Sequence, residues 1–223
     1  MTNANSLVAP TFSKSRMLGT NPIAVAIPAS QHPPFVADFA TTPIARGKLA
    51  IKGKQGEKIE EGFVQDAEGR PSTDPDIIKQ GGAILPLGGD RLHGSHKGYC
   101  LTSIVDIFSA VFSGANFGPF VPPQVAYLDP PKTQTGKGLG HFFGAMRIDA
   151  WEEKETFKKR MDQWIDTFRK AHRADGQPSV MVPGDPEREM EHKTRKEGIK
   201  ILEAVQKDLN EVARKLHMTF RTE

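Results

Sequence analysis

A run of apolar residues at helical spacing, Leu101, Ile104, Val105, Phe108, Val111 and Phe112, constrains this chain more than any other feature. Residues that recur every three or four positions predict an amphipathic helix, and Gly114 marks its end. Just ahead stands His96-Lys97-Gly98-Tyr99-Cys100, itself preceded by the flexible run Leu87-Gly88-Gly89-Asp90. A lysine therefore sits at the glycine-flanked mouth of an apolar helix, where backbone amides and a cation converge. That combination suits the anionic part of a nucleotide or an organic acid. A solvent-exposed lysine with no ligand is the competing reading.

Upstream, Ile23–Ile27 and Phe35–Phe39 are short apolar runs separated by His32-Pro33-Pro34. They read as two buried strands around a proline-rich turn. Thr42 and Pro43 read as the N-cap and first residue of a helix that carries Ala45-Arg46-Gly47-Lys48 and Ile51 and dissolves at Gly53. Residues 53–95, rich in Gly, Asp, Pro and Lys, read as loops with little regular structure, with turn chemistry from Gly69 to Pro75. After a long Pro/Gly loop from Gly118 to Gly140, the alternation over His141–Ile148 predicts a strand. The phrase Gly136-Lys137-Gly138-Leu139-Gly140 precedes that strand rather than opening a helix, so it reads as a turn and not as a phosphate loop. Phe157, Met161, Trp164, Ile165 and Phe168 mark a further helix, Asp185-Pro186-Glu187 opens another, and Leu202, Val205, Leu209, Val212 and Leu216 mark the last. The division expected is an α/β domain over 1–150 and a helical segment over 151–223.

Composition excludes several classes. The 223 residues hold 30 basic and 27 acidic side chains, a net charge of +3, with no basic run interleaved with aromatics, so nucleic acid is not the expected partner. The single cysteine, Cys100, rules out an internal disulfide and a multi-cysteine metal cluster; at the start of an apolar helix it reads as a buried thiol. No stretch reaches the roughly 18 apolar residues of a membrane span, and no signal-peptide layout opens the chain. The cytoplasm is the expected location.

Catalytic candidates are sparse. Seven histidines are present, but they form no His-Glu-x-x-His pattern and no cluster with metal-ligand spacing. No serine sits in a Gly-x-Ser-x-Gly elbow. What remains suits an anionic or nucleotide ligand. Asp38 ends an apolar strand ahead of a helix start, where a carboxylate either accepts ribose hydroxyls or caps the helix. Pro183-Gly184-Asp185 precedes another helix start, as a second anion site or simply as a turn. The residues alone describe an α/β binding fold.

An ordered series of phrases carries a resemblance. Met1-Thr2-Asn3-Ala4, Leu7-Val8-Ala9-Pro10, Gly19-Thr20-Asn21-Pro22, Asp38-Phe39-Ala40-Thr41-Thr42, Ala45-Arg46-Gly47-Lys48, Leu85-Pro86-Leu87-Gly88-Gly89, His96-Lys97-Gly98-Tyr99 and Val182-Pro183-Gly184-Asp185-Pro186-Glu187 follow one another in this order. The chain resembles the type-2 malate/L-lactate dehydrogenases from Met1 to about Val212. That family also contains ureidoglycolate, sulfolactate and diketogulonate dehydrogenases and a cyclic imine reductase.

The resemblance implies an α/β fold of non-Rossmann type, a mixed sheet plus C-terminal helices, with NAD or NADP as cofactor. It also implies a homodimer and a small 2-hydroxy or 2-keto acid as substrate. Carried over position by position, the cofactor contacts fall at Ala4, at Asp38, Phe39 and Ala40, at Lys97, and at Pro183 and Gly184. Two positions depart from the family pattern: Ala4 stands where a serine is frequent, and Cys100 where glycine is usual. The family's general acid/base histidine and its carboxylate-holding Arg and His correspond to positions ahead of Met1. The expectation is therefore a cofactor-binding part that lacks them; a non-catalytic binding or dimerisation module is the alternative.

Overall fold

The computed structural model describes residues 1–124 and 129–219, so four residues of the long 118–140 loop and the last four of the chain lie outside the described part. Two compact units divide it, Met1–Thr167 and Phe168–Glu223, with the boundary in the last turn of a helix.

In the first unit, β1 (Ile23–Ile27) and β2 (Phe35–Phe39) form an antiparallel hairpin in which Ala24 faces Asp38 and Ile23 faces Phe39. Both strands stand where the sequence puts them, but neither is buried. Ala24, Val25 and Ala26 are exposed because, among the described residues, the hairpin pairs only with itself. Its turn is held by α3 (Lys154–Arg169). The Asp162 carboxylate accepts the backbone N–H groups of Ser30, Gln31 and His32 at 2.9–3.1 Å. Burial pushes that carboxyl up, yet the three amide donors outweigh it and hold it below its ordinary value. Phe35 meets Trp164 edge to face at 5.7 Å beside this clamp.

The helix expected from Thr42 starts later. α1 spans Arg46–Gln55 with Ala45 at the N-cap, while the Thr42 hydroxyl donates to the Ile44 carbonyl instead of accepting helix amides. It also runs past Gly53 and stops at Gly56, whose left-handed φ of 70° ends the helix. Residues 53–95 are more ordered than their composition suggests. β3 (Val64–Gln65) pairs antiparallel with both β4 (Pro71–Ser72) and β5 (Ala83–Ile84), and Pro71 is tolerated because β4 is an edge. Strands of two residues are too short to leave an alternating pattern. Val8 bridges both Ile84 and Leu18, and with Leu7, Ile44, Leu49, Ile59, Val64 and Ile77 these residues make the core.

α2 (Ser95–Asp106) continues into a π-helical turn over Ile107–Val111, where the Phe112 N–H reaches the Ile107 carbonyl at 3.1 Å. The helix is present, but its buried face is not the apolar stripe. Ser95, Gly98, Thr102, Val105, Asp106 and Ser109 are inside, whereas Ile104, Ile107, Val111 and Phe112 are exposed, and so is Cys100. Apart from Val105, the buried positions carry small or polar residues, because α2 lies against backbone. A Cβ at Gly98 would collide with the Leu87 amide and carbonyl. The strand expected over His141–Ile148 is absent: His141 makes a single bridge to Thr2, and Phe143 beyond it is 88% exposed. Alternation there has no neighbouring strand to pair with among the described residues.

The second unit holds α4 (Asp185–Glu197) and α5 (Glu203–Lys215), close to the positions read from the sequence. Gly184, with φ 96°, caps α4.

The backbone contact at Gly98 makes a direct prediction. Gly98→Ala must push α2 off Leu87, so its melting temperature should fall by several degrees. An unchanged thermal melt followed by circular dichroism would show that the helix is not seated this closely.

Candidate functional site

Asn21 is fully buried and joins three segments. Its Oδ1 accepts the Ala4 N–H at 3.0 Å, and its Nδ2 donates to the Thr102 carbonyl on α2, also at 3.0 Å. Its own carbonyl accepts the Thr41 hydroxyl at 3.0 Å, while the Thr41 N–H donates to Thr20 at 2.9 Å. The Thr102 hydroxyl reaches Gly19 at 3.3 Å. Gly19 is packed so tightly that a Cβ would strike the Ala4 carbonyl. A fourth connection follows, because the Leu87 N–H donates to the Thr41 carbonyl at 2.9 Å and Leu87 in turn backs onto Gly98.

This network ties the first residues of the chain, the end of β2 and the first turns of α2 to one buried hub. Ala4 is buried within it, Ala40 adjoins Thr41, and Asp38 and Phe39 stand exposed at the end of β2. Lys97 is exposed on the first turn of α2, and its stem lies back over Gly94, with Cδ 3.7 Å from the place a Cβ would occupy. Neither the Asp38 carboxylate nor the Lys97 ammonium has a hydrogen bond or ion pair among the described residues. Both charges stay available to a ligand. α2 has no side-chain cap, so its positive end is open beside Lys97.

Pro183 and Gly184 lie in the second unit, in a turn closed by the Asp185 N–H on the Val182 carbonyl at 2.9 Å. The Asp185 carboxylate takes Arg169 through two bonds of 2.7 and 3.1 Å, Arg188 at 3.1 Å and the Val182 N–H at 3.0 Å. The paired Arg169 guanidinium holds this carboxyl below its ordinary value. Gly184 is required here: its φ is left-handed, and a Cβ would press on the Arg188 guanidinium at 2.9 Å. The fixed turn leaves Pro183 exposed.

A second buried network supports the hub from below. Asp106 accepts Asn3 Nδ2 at 3.0 Å and the Gly118 N–H at 2.9 Å; Asn3 also accepts the Gly140 N–H and donates to the Asn116 carbonyl. Asn116 Oδ1 receives the N–H groups of Thr135 and Gly136, both at 2.9 Å. The Gly136–Gly140 run is thus a cradle for asparagines. Burial pushes the Asp106 carboxyl above its ordinary value, and its two donors offset that only in part.

Asn21, Thr41, Thr102, Asn3 and Asp106 were not singled out by sequence reasoning. Their partners lie up to 137 residues away, as for Asn3 and Gly140, and no local pattern reports them. The available signal was Gly19-Thr20-Asn21-Pro22, a turn-forming cluster in which asparagine tolerates the positive φ of 34° found at Asn21.

The first unit thus presents an α-helix start without a side-chain cap, an exposed lysine on its first turn and an exposed carboxylate near the end of a strand. Comparison with known proteins gives the family. The malate/L-lactate dehydrogenase family matches residues 1–210, and the chain belongs to that family. It is 35% identical over 217 residues to a malate dehydrogenase of Pyrococcus horikoshii, covering 97% of this chain and 58% of that protein. It is 33% identical over 220 residues to an L-sulfolactate dehydrogenase of Methanocaldococcus jannaschii, covering 99% of this chain and 59% of that protein. A malate dehydrogenase crystal structure from Entamoeba histolytica superposes with a TM-score of 0.83 at 30% identity, over 99% of this chain and 61% of the other. The α/β fold is that of the family, and the chain spans less than two thirds of the length of these relatives.

The raised Asp106 carboxyl predicts a pH effect with a definite sign. An acid whose folded pKa exceeds its unfolded value binds its proton more tightly when folded. Stability from this group is therefore present at low pH and lost as pH rises through the folded pKa. The melting temperature of wild type relative to Asp106→Asn should climb as pH is lowered from 7 toward about 4. A difference independent of pH would contradict the assignment.

Proposed function

We propose that this chain is the cofactor-binding and C-terminal part of an NAD(P)-dependent oxidoreductase acting on a small 2-hydroxy acid of the malate, lactate or sulfolactate type. The observation that carries the proposal is the pair of uncommitted charges, Lys97 and Asp38, borne by segments bonded to one buried hub. In this reading Lys97 and the open end of α2 take the pyrophosphate of the dinucleotide, and Asp38 accepts ribose hydroxyls. The family resemblance assigns further cofactor contacts to Ala4, Phe39 and Ala40, and separately to Pro183 and Gly184. Bound there, the nicotinamide supplies hydride chemistry.

Reduction of a 2-keto acid also needs a proton delivered to the carbonyl oxygen. Three histidines of this chain are engaged elsewhere, His32 with Asp166, His93 with Asp90 and His96 with Arg91. Neither the Lys97 nor the Asp38 side chain is hydrogen-bonded to a histidine among the described residues. We assign proton transfer to none of the described residues, which makes cofactor binding the activity to measure. A non-catalytic binding module remains the reading if turnover never accompanies that binding.

A cytoplasmic homodimer completes the proposal. Among the described residues no helix is long and apolar enough to cross a membrane. Val25, Ile104, Ile107 and Phe112 leave apolar surface exposed on the first unit, which favours a partner. Sedimentation should return twice the chain mass, and a monomer at micromolar concentration would refute the dimer.

Fluorescence titration with NADH tests the binding site. Lys97→Ala should weaken affinity about tenfold or more, as loss of a charged hydrogen bond does, and Asp38→Ala should weaken it too, each with an unchanged circular dichroism spectrum. Wild-type affinity in both variants would overturn the proposal.

A further inference from the structure

Phe12 breaks two local rules at once. The Ser13 N–H closes a turn on the Pro10 carbonyl at 2.8 Å, which puts Phe12 at the second central position with φ 70°. A turn with positive φ there prefers glycine, and a phenylalanine strains the backbone. The ring gains no packing in return, since the residue is 89% exposed. Local rules broken without a packing return are a mark of functional positions.

The turn is also held rigidly. Gln65 Nε2 donates to the Ser13 carbonyl at 2.7 Å, and the Thr11 and Ser95 hydroxyls pair at 3.1 Å. Beside the turn opens a groove of about 420 Å³, bordered by Phe12, Lys14, Gln65, Glu68, Arg91 and Ser95. That volume lies within the range of small-molecule sites.

Its charges do not cancel. Glu68 is paired with Arg70 at 3.0 Å, and Asp90, at one end of the groove, accepts both the backbone N–H and the ring of His93 at 2.9 and 2.8 Å. Lys14 and Arg91 have no carboxylate partner among the described residues. The Arg91 guanidinium meets His96 Nδ1 there, at 3.0 Å, and no carboxylate. The groove thus joins a free aromatic face to two free cations.

We propose that this groove is an adenylate subsite, with the purine stacked on Phe12 and a phosphate held between Lys14 and Arg91. Stacking on an exposed ring and two cations for one phosphate are the complementary chemistry for a nucleotide. The adenylate group belongs either to a free nucleotide or to one end of a dinucleotide reaching from Lys97, because Arg91, Ser95 and Lys97 border the same helix start. The subsite does not depend on the assignment of Lys97 and Asp38.

Isothermal titration of AMP into the full chain tests it. Phe12→Gly should keep or raise the melting temperature, because glycine relieves the strained φ, and should weaken AMP about tenfold. Phe12→Tyr should retain affinity. Lys14→Ala with Arg91→Ala should weaken AMP as well, while Lys97→Ala should leave it intact even if NADH binding is lost. Competition between AMP and NADH would identify the dinucleotide end as the occupant, and simultaneous binding a separate nucleotide; either supports the subsite. No AMP binding at millimolar concentration, AMP affinity unchanged in Phe12→Gly, or ribose 5-phosphate bound as tightly as AMP would overturn it.

Discussion

Everything at the candidate site depends on a backbone touching a backbone. Gly98 offers no side chain, so α2 settles directly on Leu87, and the Leu87 amide is spent on Thr41. That stacking links the first turn of α2 to the segment after β2 through the Leu87 backbone. Asn21 then locks both to the first residues of the chain through a fully buried amide that uses both ends of its side chain. Buried amides of this kind are costly unless satisfied, and once satisfied they fix one arrangement. Two exposed charges, Lys97 and Asp38, on segments tied to one hub are the outcome.

Much of the fold could be read from the chain. The hairpin of β1 and β2, the helix over Lys154–Arg169 and the start of α4 at Asp185 all carry local signals, namely apolar runs between breakers, 3.6-residue spacing and a Pro-Glu first turn. The failures have local causes too. Hydrophobic spacing located α2 but reversed its buried face, because close backbone packing selects Gly98, Thr102 and Ser109 over the larger apolar side chains. Cys100 turned outward with that reversal. At His141–Ile148 the alternation was present and the pairing strand was not. The two-residue strands β3 to β5 pair with one another, and β5 is bridged by Val8, which lies 76 positions ahead of Ile84 in sequence.

The site was legible only in outline. Lys97 could be picked out because glycines flank it and a helix follows, and Asp38 because it ends a strand. The asparagines that hold their supports could not, since an asparagine's role is set by partners distant in sequence. The second unit shows the same division: Asp185 and Pro186 announce a helix start, whereas the Arg169 clamp that fixes the Pro183-Gly184 turn is visible only in three dimensions. Family membership ties these pieces to dehydrogenases that are considerably longer than this chain.

Hydrogen exchange with and without NADH examines the central idea most directly. If a dinucleotide is gripped jointly, backbone amides of residues 38–42 and 95–98 should gain protection together on adding cofactor. Protection confined to one of these segments, or absent from both while NADH is bound, would mean that the helix mouth and the strand end do not serve one ligand.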